Sequence, residues 1–104
     1  MRKIADLDLA AVLANPVPSV VDIYADWCQP CKMLAPTLDK LSKDYDGKVD
    51  FVKMDGETEV KTSATYKVSA LPTLLFFDKG GKLAKQLIGL QTEKAIKTVI
   101  ESLL

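Results

Sequence analysis

A chain of 104 residues can bury one globular core and is too short for two, so residues 1–104 are expected to form a single domain. Apolar residues at 48% and charged residues at 27% give the balance of a soluble fold that needs no disulfide or metal staple. Fourteen basic residues offset fourteen acidic ones, which argues against nucleic-acid and membrane-surface binding and leaves partners to be recognised by shape and apolar contact.

Met1-Arg2-Lys3 followed by the mostly apolar stretch Ile4 to Ala14 has the outline of an export signal, but Asp6 and Asp8 interrupt the run that such a signal keeps uncharged. The stretch reads instead as a short strand or lead-in, then a helix from Leu7 to Ala14 that stops at Asn15-Pro16. No segment approaches the ~20 apolar residues of a membrane span. A cytoplasmic location and a monomer are the expectations.

Ser19 to Ala25 is a β-branched apolar run suited to a strand buried on both faces. A helix is expected from Cys31 to Tyr45, where Leu34, Leu38, Leu41 and Tyr45 form one apolar stripe. Asp46-Gly47 ends it, and Pro36 inside it predicts a kink. Val49 to Asp55 reads as a second strand and Glu57 to Tyr66 as a shorter helix. Thr73 to Phe77 and Leu83 to Leu87 read as two further strands, joined as a hairpin through Asp78-Lys79-Gly80-Gly81-Lys82. Thr92 to Leu104 closes the chain as an amphipathic helix, with Thr92 as N-cap and Ala95, Ile96, Val99, Ile100 and Leu103 inward. The order β-α-β, then α, then β-β-α implies an α/β fold. Its central mixed sheet of four to five strands has helices on both faces.

The chemistry concentrates in Trp27-Cys28-Gln29-Pro30-Cys31-Lys32, where a buried strand gives way to a helix. Sites in open α/β sheets form just past the carboxyl ends of strands. The C-x-x-C spacing lets two sulfurs meet across one helical turn. Cys28 falls at the helix N-terminus, where unpaired amides and the dipole favour a thiolate, and Cys31 falls in the first turn behind it. Pro30 suits that turn because its missing N–H is not needed there. Two sulfurs and no histidine cannot supply the roughly four ligands of a structural zinc site within one chain without carboxylates. The alternatives are two core cysteines or half of a metal knuckle shared between chains.

Asp22 sits mid-strand in Val20-Val21-Asp22-Ile23-Tyr24. If buried, it is costly and its pKa is raised, which makes it a proton carrier; if it lies at an exposed edge, it is unremarkable chemically. Lys53 shares a strand face with Val49, Phe51 and Asp55. On a covered face it needs an anionic partner such as Asp22; at a solvated strand end it needs none. Pro72 opens a strand in Ala70-Leu71-Pro72-Thr73, and the low frequency of cis X-Pro bonds favours trans on composition alone.

The segment VDIYADWCQPCK followed by LPTLLFF resembles the thioredoxin family, and the resemblance runs from about Val20 to the C-terminus. It implies a thioredoxin fold and protein-disulfide reductase activity without a cofactor or metal. Disulfide-containing client proteins would be the substrates and a thioredoxin reductase the recharging partner. It further implies that Cys28 attacks, Cys31 resolves, Asp22 deprotonates Cys31 through a water, and Lys53 lies near that carboxylate. Leu71-Pro72 would be the cis-proline site whose Leu71 backbone pairs with a substrate strand. Trp27, Gln29, Pro30, Gly89 and Leu90 would lie on the surface that receives partners. Three departures are visible: Gln29 replaces the usual Gly between the cysteines, Tyr24 replaces a usual Trp, and the hairpin carries Gly80-Gly81. Because the intervening dipeptide governs potential, an oxidant or isomerase of the same fold is the first alternative. A docking module with idle cysteines is the second.

Overall fold

The computed structural model describes residues 1–104. In chain order it contains β1 (Arg2–Lys3), a 3-10 turn (Asp6–Asp8) leading into α1 (Leu9–Leu13), β2 (Ser19–Tyr24), α2 (Gln29–Asp44), β3 (Asp50–Asp55), α3 (Val60–Thr65), β4 (Thr73–Phe77), β5 (Leu83–Ile88) and α4 (Glu93–Leu103). The five strands form one sheet in the order β1-β3-β2-β4-β5. β1, β3 and β2 run parallel, and β4 and β5 are antiparallel to their neighbours. The mixed sheet and its terminal hairpin are those expected from the β-α-β and β-β-α order.

Alternation along the central strands divides the core into two layers. Val20, Phe51, Leu74 and Phe76 meet Leu34, Leu38 and Leu41 of α2 and Ile96 and Ile100 of α4. Val21, Ile23, Val52, Met54, Leu75 and Phe77 meet Ile4, Leu9 and Val12 on the opposite side. Each large apolar side chain so buried contributes roughly 1.5–3 kcal/mol. This double coverage is why β2 and β4 read as continuous apolar runs.

Several boundaries differ from expectation for local reasons. α2 begins two residues earlier than Cys31, because Cys28 caps it and Pro30 fits its first turn. It continues through Pro36, whose exposed position leaves the carbonyl freed by the missing N–H beside solvent. α3 is shorter than Glu57 to Tyr66: the Asp55 carboxylate accepts from the Glu57 amide at 2.9 Å and holds the chain in a turn. The helix expected over Leu7 to Ala14 begins as a tighter 3-10 turn, in which the Ala5 amide donates to Asp8. The Asp6 carboxylate is diverted to the Lys61 and Thr62 amides of α3.

Candidate active site

β2 delivers the chain to the rim of the sheet, and Ala25-Asp26-Trp27 turns it into α2. The Cys28 amide donates to the Ala25 carbonyl at 3.2 Å, which fixes that turn. Cys28 is the N-cap residue, and its Sγ accepts from the Cys31 amide at 3.3 Å. The two cysteines are joined as a disulfide, with their Cα atoms 5.3 Å apart. Cys28 is 3% exposed and Cys31 5%, so both are shielded and burial does not rank them in this oxidised form. What separates them is position: the sulfur of Cys28 lies against the amides at the start of a 16-residue helix, where the backbone favours negative charge.

Asp22 is buried on the α2 face of the sheet, which resolves the first of the two open alternatives. Its Oδ1 is buried with no hydrogen-bond partner. Burial pushes its carboxyl up to about 7, against a smaller opposing pull from the Lys53 ammonium. Asp22, Tyr24, Ala25, Asp26, Cys31, Lys32, Ala35 and Lys53 together line a cleft of about 180 Å3. Cys31 touches this cleft and Cys28 does not. A larger cleft of about 620 Å3 lies between the 3-10 turn, α1 and α3 and contains neither cysteine.

Lys53 is half-buried and is the in-register neighbour of Asp22 on β3. It is not the ion-pair partner that the sequence suggests, for no Lys53 contact falls within the 4.0 Å of a salt bridge. Its Nζ instead stands over the Tyr24 ring, 5.7 Å from the centroid. Tyr24 thus belongs to the site, although in the sequence it registers only as a departure from a Trp.

The third side of the site is the loop before β4. Leu71 packs against Ala25, Cys28 and Cys31. The Leu71-Pro72 bond is cis, which corrects the trans geometry favoured by composition and agrees with the resemblance. The Pro72 carbonyl accepts from the Gly89 amide at 2.8 Å, and Gly89 has a φ of +87°, which glycine adopts freely. That bond ties the β5 exit, with Leu90 exposed, to the proline. Trp27, Gln29 and Pro30 are exposed around the disulfide. Two contributors escaped the sequence reading. Ile88 is 56% exposed and pairs with Thr73 beside the proline, a position that follows only from strand register. Gly56 is the other: a Cβ there would come within 2.9 Å of Ile23 and 3.2 Å of Leu71.

Comparison with known proteins agrees with this geometry. The thioredoxin family model matches residues 4–102. The thioredoxin of Staphylococcus epidermidis is 38% identical over 99 residues, covering 95% of this chain and 93% of the relative. That of Staphylococcus aureus is 37% identical over the same length. The X-ray structure of Fasciola hepatica thioredoxin superposes with a TM-score of 0.90 at 32% identity and full coverage of both chains. A disulfide capping a helix beyond a buried strand, within a chain matched almost end to end, makes this protein a member of the thioredoxin family and a thiol–disulfide oxidoreductase.

Proposed function

We propose that the chain reduces disulfides of partner proteins with Cys28 as nucleophile and Cys31 as resolving thiol. The thiolate of Cys28 attacks one sulfur of the client disulfide. A mixed disulfide forms and the other client sulfur leaves as a thiolate. Cys31 gives its proton to Asp22 and attacks Cys28 Sγ, which closes the Cys28–Cys31 bond and releases the second client sulfur. The client gains two electrons and two protons, and a reductase returns the same number to the site. The observation that carries these roles is the asymmetry of the cleft: the unpartnered carboxyl of Asp22 shares its walls with Cys31 and not with Cys28. A cleft of that size, with Asp22, Asp26, Lys32 and Lys53 in its walls, would have room for a water to relay the proton.

The same reading extends to the surroundings. Leu71 would present its backbone to an extended client segment, and Trp27, Pro30, Gly89 and Leu90 would receive it by apolar contact. Gln29 would face the client between the cysteines, and Lys53 would modulate Asp22. Residues 1–104 would act as one domain in the cytoplasm, consistent with the absence of any helix long and apolar enough to cross a membrane.

Single cysteine variants test the roles. Cys31→Ser is expected to accumulate mixed disulfides with a client such as insulin, seen by mass spectrometry, whereas Cys28→Ser accumulates few and loses turnover. Turnover retained in Cys28→Ser would reverse the assignment.

A further inference from the structure

Lys53 and Asp22 are in-register neighbours on parallel strands, so their side chains leave the same face of the sheet. A buried carboxylate without a hydrogen-bond partner next to a flexible ammonium should draw that ammonium in. It has not done so. Lys53 Nζ lies over the face of the Tyr24 ring, and Tyr24 stands two residues beyond Asp22 on the same strand and face. Lys3 on β1 is the in-register neighbour of Lys53 on its other side. Tyr24 also raises the Lys3 ammonium above its ordinary value, first through charge attraction and then through a hydrogen bond, with Asp55 and Asp26 adding to it.

We propose that Tyr24 is a positioning residue whose ring face holds the Lys53 ammonium off Asp22, leaving that carboxyl unpaired in the cleft beside Cys31. The functional consequence rests on Asp22 being the proton acceptor of Cys31: an acceptor already locked to an ammonium is a weaker base. The charged and titratable groups facing Asp22 are few. Lys53 comes from β3, Cys31 and Lys32 from α2, Asp26 from the β2–α2 turn and Tyr24 from β2 itself, while β4 offers only Leu74. Among them Lys53 alone has a charge effect on Asp22, so moving Lys53 is the lever available to the fold.

The test is the titration of the Asp22 carboxyl by carbon-13 NMR in the disulfide form, where no thiol titration is coupled to it. Tyr24→Leu removes the ring and frees Lys53 to reach Asp22. The Asp22 midpoint should fall by about half a pH unit or more. Tyr24→Phe keeps the ring face and should keep the midpoint, and in a Lys53→Met background Tyr24→Leu should have no effect. An unchanged or raised midpoint in Tyr24→Leu would overturn the proposal. The wild-type protein supplies a second reading that needs no variant to fold: the Lys53 methylene protons next to Nζ should be shifted upfield by the ring current of Tyr24. Their appearance at ordinary values would overturn it equally. Because both readings follow Lys53 and the carboxyl rather than turnover, they stand or fall separately from the role of Asp22 in catalysis.

Discussion

The buried carboxyl of Asp22 places a measurable cost on the fold. Its folded pKa of about 7 lies above the ordinary 3.8, so the folded state holds a proton that the unfolded chain has released. Stability is therefore unaffected below about pH 4, falls as pH rises through the window from 4 to 7, and stays reduced above it. The full penalty is on the order of 4 kcal/mol at pH 8. Asp22→Asn is expected to raise stability by up to that amount at pH 8 and by little at pH 4, measured by urea unfolding at both pH values. Equal effects at the two pH values would mean that the carboxyl is not buried in its charged form. The same variant is expected to move the acid limb of the turnover profile from near 7 toward the ~8.5 of an unassisted thiol. The loss is roughly tenfold or more at and below pH 7 and closes above about pH 9. With Asp22 as the proposed proton acceptor, stability and activity are expected to pull in opposite directions at this residue.

Capping decides where the helices begin and end. The Thr92 hydroxyl accepts from the Ala95 amide at 3.1 Å at the start of α4. Thr92→Ala should cost about 1 kcal/mol in chemical unfolding without altering turnover. At the end of α3, Lys67 holds a left-handed φ of 55°, and the next amide, Val68, donates to the Ser63 carbonyl at 2.8 Å. That closure favours glycine, so Lys67→Gly should stabilise the protein by several tenths of a kcal/mol. The strands and the apolar stripe of α2 were legible because period and composition agree there. The start of α2 was less so, since Gln29-Pro30 reads as a loop until Cys28 is known to accept from the Cys31 amide. The shortening of α3 depends on Asp55 and Asp6, whose carboxylates take the amides of a turn and of a helix far away in sequence. In the site, Cys28 and Cys31 announce themselves by spacing. Asp22 stood open until the α2 face was seen to cover it. The contacts of Tyr24 with Lys53, and of Ile88 with the proline strand, are tertiary pairings with no local signature.

The whole molecule is arranged so that three unrelated stretches of chain end at one rim of the sheet. β2 brings the cysteines, β3 brings Lys53 alongside Asp22, and the loop into β4 brings Leu71 and Pro72 against the disulfide. The exit of β5 is fastened to that loop through Gly89. With no net charge to steer association, the exposed apolar residues Trp27, Ile88 and Leu90 are the features most suited to client contact. Gln29 is the one residue between the cysteines that departs from the family pattern, and it is exposed where it can change both docking and potential. The direction of electron flow is therefore the quantity to measure first. Equilibration with dithiothreitol redox buffers, followed by the fluorescence of Trp27, gives the potential of the Cys28–Cys31 couple. A protein-disulfide reductase requires a value near the ~ −270 mV of thioredoxin, and that is the result expected here. A value at or above the ~ −180 mV of protein disulfide isomerase would contradict a reducing role and make the chain an oxidant or isomerase of the same fold.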